Sequence, residues 1–283
     1  MTPRLACGLL LGLFVQSALF AWGPAGHKWV HARALEHLPP ALAAILGPHR
    51  DYLVEHSIDP DSWRETDPEE APRHYIDLDN YGNFPFPRFT LDYEQLVRRE
   101  GQDKVKANGL VLWTISQVMD RLTRAFRSGD QQAMLREAVA LGHYVDDLHQ
   151  PFHAVANFDG QFTGQKGIHA RFEVDATDRI LATLEAGPGK LYRIDDPLRQ
   201  AFDIAMDSLS MVNLILIPEW QIVRDLKIDR ETLPRDPEKK IAVYPESYFQ
   251  RLTERTGPVA AKRLQEAVWS VASFWTQAWE NSR

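Results

Sequence analysis

The chain has 283 residues, 44% of them hydrophobic and 25% charged, with 16 Gly and 18 Pro; this is the composition of a globular protein and excludes disordered, collagen-like and low-complexity chains. The sole cysteine, Cys7, lies in a segment expected to be removed, so the mature protein has no disulfide, and any metal must be held by His, Asp or Glu. The formal charge of -7 becomes -8 without that segment, whose single charge is Arg4. That balance disfavours gripping polyanions through bulk electrostatics but leaves room for a local cationic or metal site.

Met1 to Ala21 shows a short basic start at Arg4, then an apolar run from Leu5 to Phe20 broken only by Gly8, Gly12, Gln16 and Ser17. The run is too short and too early for a membrane span, so residues 1–21 are read as a secretory signal peptide. Cleavage after Ala21 leaves Trp22 as the new terminus, although Leu19 stands where a small residue is usual. A secreted or periplasmic protein is expected, with no stable membrane span after processing.

Beyond Trp22 no segment shows sustained period-two alternation, whereas several show helical spacing, and the predicted class is all-α. Asn80 to Arg88, with its Phe84-Pro85-Phe86-Pro87, is expected to be loop. Leu135, Ala138, Val139, Gly142 and Val145 mark a helix that Pro151 should end. Leu198, Phe202, Ala205, Leu209 and Val212 mark a second. The charged excursion from Pro218 to Pro258 is read as loop. Leu264, Ala267, Val268, Val271, Phe274, Trp275 and Ala278 form one apolar face of a long closing helix. Without repeats or a dividing linker, residues 22–283 are expected to form one domain, a multi-helix bundle with long loops.

All ten histidines fall between His27 and His169, and none lies in the final 114 residues. In His143-Tyr-Val-Asp-Asp147-Leu-His-Gln-Pro-Phe-His153, His143 and Asp147 are four apart and share a helix face. His153 follows the turn at Pro151. His169 and Glu173 repeat the four-residue spacing. One such pair is ordinarily a helix salt bridge; two, with a histidine between them in a chain without usable cysteine, point to convergence on a divalent cation, and imidazole with carboxylate suits zinc. His27 and His74 are further candidates, and Asp59 and Asp61 supply a nearby carboxylate. A free amino group chelates together with its own carbonyl oxygen, so a Trp22 terminus five residues before His27 can itself ligate. His31, His37, His49 and His56 read as helix-surface or loop residues, His31 at most supporting a ligand, and His149 must point to a different face from Asp147.

Taken in order, Trp22, His27, Asp61, His74, His143, Asp147, His153, His169 and Glu173 resemble the ligand set of the superfamily that joins zinc-dependent phospholipase C with the single-strand-specific zinc nucleases. The resemblance implies a mostly helical domain around a cleft with three zinc ions. One would be held by Asp61, His74, His143 and Asp147; a close neighbour by the Trp22 amino and carbonyl groups, His27 and a bridging Asp147; and a third by His153, His169 and Glu173. Arg64, three residues after Asp61, favours Asp61 over Asp59 and resembles the phosphate-contacting arginine of the nucleases, as Tyr75 resembles their base-stacking aromatic. Asp77 fits a base-contacting position but occurs in both branches. Glu173 as last ligand, the run from Pro151 to Phe158 and the lack of disulfides look more like the phospholipases.

The resemblance implies metal-assisted hydrolysis of a phosphodiester by an activated water, with Asp61 and Arg64 as catalytic residues: Asp61 orienting or deprotonating the water, Arg64 neutralising charge on the phosphoryl oxygens. Tyr75, Asp77, Phe84 and Phe86 are the candidate substrate contacts. The expectation is a monomeric, secreted zinc phosphodiesterase leaning slightly to phospholipase C, with a nuclease as the alternative and a non-catalytic helical zinc-binding protein as a reading of another class. A di-iron bundle would need Glu-x-x-His pairs, and the chain has none.

Overall fold

Among the described residues of the computed structural model, 22–238 and 241–283, the regular structure is helical, with one isolated bridge between Arg235 and Ala242. The signal-peptide reading of residues 1–21 falls outside them. The all-α expectation is borne out.

The centre is a helical hairpin. Gly129 takes the left-handed conformation (φ 69°) that closes Val111–Ser128, and the Asp130 side chain then accepts from the Ala133 amide at 3.0 Å to start Gln131–His149. These are the usual stop and start signals, and they fold the two helices back on one another. Pro151 ends the central helix as expected. The first helix, Gly23–Glu36, and the C-terminal helix, Glu246–Asn281, pack against the central one. Trp275 on the C-terminal helix is fully buried and donates Nε1 to the Ala138 carbonyl at 2.9 Å. Burying a side chain of this kind is worth about 1.5–3 kcal/mol.

The three helices pack tightly at Gly142. A Cβ there would stand 2.6 Å from the His31 imidazole and 3.0 Å from the Trp275 ring. Glycine at this position therefore lets the first helix cross the central one a single residue before His143, which brings His27 over the same spot.

The excursion from Pro218 to Pro258 is helical at both ends, contrary to its reading as loop. Asn213–Asp225 runs through Pro218, and Glu246–Asn281 runs through Pro258. A proline removes one backbone bond, but Leu252, Thr256, Ala260 and Leu264 lie buried on both sides of Pro258, so packing of the continuous face outweighs that loss. The consecutive helices from Pro197 to Asp225 are together long and apolar enough to cross a membrane by composition alone. They nevertheless carry the fully buried Glu219, and Ala201, Ala205, Ile215 and Ile222 join the core.

Candidate metal centre

Six segments carry the candidate ligands: the first helix with Trp22 just before it and His27 on it, the short helix Asp59–Trp63, the turn Ala71–His74, the central helix, the turn Pro151–Ala154, and the stretch from Ile168 to Ala176. Trp22 is buried, with Nε1 donating to the Asp146 carbonyl at 3.1 Å and its ring centroid 5.8 Å from that of Phe172. Its backbone is thereby fixed one turn ahead of His27. Arg171–Ala176 is a π-helical turn, a distortion frequent at functional sites, and it begins two residues after His169 and holds Glu173.

Three groups of side chains place their ligand atoms within 4.8 Å of one another: His27, Asp61 and His143; His74, His143 and Asp147; His153, His169 and Glu173. The first two merge around Asp147, whose oxygens divide. Oδ2 lies 2.8 Å from His74 Nδ1 and 3.3 Å from His143 Nε2, whereas Oδ1 faces His27 Nε2 at 3.5 Å. Asp61 Oδ1 is 3.7 Å from His74 Nδ1 and 3.8 Å from His143 Nε2. In the third group His169 Nε2 is 2.8 Å from Glu173 Oε2, which also accepts from Gln150 Nε2 at 3.1 Å.

Four of the five histidines have a rear contact, a hydrogen bond for His143 and His153 and a nearby carboxylate for His27 and His74, so that each of the four presents its other nitrogen to the cluster; His169 has none among the described residues. His143 Nδ1 faces the Ser57 carbonyl at 2.8 Å, and His153 Nδ1 the His74 carbonyl at 2.7 Å. Behind His27 stands Asp146 at 2.9 Å from Nδ1, and behind His74 stands Glu70 at 3.3 Å from Nε2. Such rear partners fix ring orientation and tautomer in metal sites. Burial depresses His143 to about 4 and His153 to about 3, leaving both neutral at pH 7 with a lone pair to give. Burial alone would lower His27 and raise Asp147. The Asp146 carboxylate instead lifts His27, and His143 and His74 hold Asp147 well below the usual carboxylate range.

These residues fit a divalent cation. Asp61 Oδ2, Asp147 Oδ1, His27 Nε2 and both nitrogens of His169 are buried without a hydrogen-bond partner, a costly state for polar atoms. Among the described residues no lysine or arginine pairs with Asp146, Asp147 or Glu173. Buried carboxylates without protein cations, faced by imidazoles, match the donor chemistry of zinc.

Asp59 turns to the half-exposed His56 at 2.8 Å, while Asp61 lies buried in the cluster. Arg64 contacts Asp61 Oδ1, and its buried Nε has no partner. Tyr75 is half-buried, its hydroxyl donating to the Ala107 carbonyl at 3.1 Å. Gly109 (φ 94°) packs so tightly on it that a Cβ would reach 2.0 Å from the Tyr75 carbonyl. The extended backbone here runs past the third group, the Ile76 amide donating to the His153 carbonyl at 2.8 Å. Asp77 is buried, and burial with the neighbouring Asp79 charge pushes its carboxyl up to about 7. Phe86 is 5% exposed within the core, so of the two loop rings only Phe84, 74% exposed, meets solvent. His31 is fully buried, against the Leu53 carbonyl and the Trp275 ring, rather than on a helix surface. Sequence reasoning missed Asp146 and Glu70; Glu70 stands four residues before His74, the same spacing that marked His143 and Asp147.

Among the described residues this is a helical protein whose merged clusters of buried imidazole and carboxylate have the donor set of a metal-binding site. The S1/P1 Nuclease family model matches residues 22–177, more than half of the chain. The chain belongs to this family of zinc-dependent phosphodiester hydrolases. The match covers all nine candidate ligands and stops short of the C-terminal helices. No curated protein matches the chain. The family falls on the nuclease side of the superfamily and lends no support to the lean toward phospholipase C.

Proposed function

We propose that the mature chain, residues 22–283, is a secreted or periplasmic monomeric phosphodiesterase that cleaves single-stranded nucleic acid at a site for three zinc ions. The observation that carries this reading is the divided Asp147 carboxylate, one oxygen toward His74 and His143 and the other toward His27, an arrangement suited to bridging two close cations. Asp61, His74, His143 and Asp147 would hold one ion. Asp147, His27, the Trp22 amino group freed by cleavage and the Trp22 carbonyl would hold its neighbour, and His153, His169 and Glu173 the third.

When bound, zinc supplies Lewis acidity toward water and the phosphoryl oxygens. The protein's own part is positional. Asp61 Oδ2, buried and unpartnered, orients the attacking water and accepts its proton. Arg64, with a free buried Nε, donates to a phosphoryl oxygen as negative charge builds there. Tyr75 offers a ring face for a splayed base, and Asp77 an acceptor or, protonated, a donor to its edge.

The test is to supply exported protein with single-stranded DNA and with phosphatidylcholine vesicles in parallel. The nuclease reading expects cleavage of the DNA that chelation abolishes. A second reading, hydrolysis at a lipid surface, is favoured by Leu214, Ile217 and Trp220, which lie exposed along one face of Asn213–Asp225; turnover of the vesicles alone would establish it. Zinc-loaded protein that turns over neither would return the non-catalytic reading.

A further inference from the structure

Asp146 has no place in the ligand set, yet it is fully buried beside it. Its carbonyl serves Trp22; its carboxylate has another neighbour. Oδ2 lies 2.9 Å from His27 Nδ1, while His27 Nε2 points the opposite way, 3.5 Å from Asp147 Oδ1. Consecutive residues on a helix are turned about 100° apart, so Asp146 and Asp147 reach the two ends of one imidazole. His143 and His153 are backed by neutral backbone carbonyls. His27 is backed by a carboxylate that no lysine or arginine among the described residues pairs with.

We propose that Asp146 is a positioning residue for metal binding, acting through His27; this rests on the proposed zinc site. The 2.9 Å contact places the carboxylate to take the Nδ1 proton of His27, which would fix the tautomer with the Nε2 lone pair toward Asp147 and make the ring a stronger donor. The first helix carries only this one histidine of the ligand set, and its ring stacks on His143 at 4.3 Å between centroids. A rotation of His27 would therefore disturb the ion it shares with Asp147 before it disturbed the third group.

A purely structural role for a buried acid would cost stability without singling out one ion. The deciding variant is Asp146→Asn, which keeps an acceptor oxygen of the same shape and removes the charge. Zinc per chain and its release to a competing chelator are measured on wild type, D146N, H27A and D146N/H27A, together with the visible spectrum of each after cobalt replaces zinc. Loss of a rear partner lowers metal affinity by about 10–100-fold. D146N is expected to speed release of one ion by that factor, leave the others unchanged, and alter one component of the cobalt spectrum. In the H27A background the same substitution should add nothing, since its effect passes through His27. If D146N retains all ions as wild type does, or adds its full loss to that of H27A, the proposal is overturned. A folded wild type that binds no zinc would instead overturn the proposed site itself, and the wild-type measurement shows which has failed. Should D146N not fold, Asp146→Glu keeps the charge but displaces it, and wild-type release from D146E would overturn the proposal equally.

Discussion

Two of the buried polar clusters among the described residues, one around Glu219 and one around Asp147, are built on opposite terms. Around Glu219 the protein supplies everything. That carboxylate accepts from Gln165 Nε2 at 2.7 Å, Arg230 Nη2 at 2.6 Å, the Tyr248 hydroxyl at 2.9 Å and Arg171 Nη2 at 3.4 Å, and Arg171 lies 4.5 Å over the Tyr244 ring. At the second cluster the Asp147 carboxylate meets only imidazoles, and several buried nitrogens and oxygens around it have no partner. A buried charge must be compensated. The Glu219 carboxylate is compensated by protein groups and ties the C-terminal helices to the segment after His169; the Asp147 cluster is left to be compensated from outside, as the proposed site requires.

The largest effect that would break this comparison is expected at Asp147. Asp147→Asn removes the shared carboxylate, and we expect loss of two ions and a fall in turnover of at least about 10³-fold, read by elemental analysis and single-stranded DNA cleavage. Glu219→Gln should do the reverse. It leaves Arg171 and Arg230 facing a neutral group, at a cost of about 3–5 kcal/mol in denaturant unfolding, with zinc per folded chain unchanged. Zinc lost in proportion to stability would show that the two clusters are not separate.

A smaller effect concerns pH. Asp77, pushed up to about 7 by burial and by Asp79, has a folded-state value above its unfolded one. The folded protein then holds a proton that the unfolded chain has released, so this residue makes stability fall as pH rises from about 4 to about 7. The slope is at most about 1.4 kcal/mol per pH unit. Asp77→Asn should flatten that part of the curve. Smallest of all is His56→Ala, which removes an ion pair half open to solvent. It should change stability by less than about 1 kcal/mol and leave the zinc content alone, as expected if Asp59 is no ligand.

The parts of the site carried by local spacing were legible in the sequence. His143 and Asp147 lie one α-helical turn apart and meet as the period requires, and the same four-residue spacing marked His169 and Glu173, which meet across the π-helical turn. The turn at Pro151 was equally plain. What escaped depends on how separate segments cross. Asp146 reads as the neighbour of a ligand until the first helix lays His27 across it, and His31 reads as surface until Gly142 admits it to the core. Pro218 and Pro258 read as stops because a proline's local cost is visible in sequence, while the packing that outweighs it is not.

The most direct test of the central claim is the metal content of the exported protein, taken by elemental mass spectrometry alongside its intact mass. The account predicts about three zinc ions on a chain that begins at Trp22. A correctly processed, folded chain with little or no zinc would contradict it, and the unpartnered groups around Asp147 would then need another explanation.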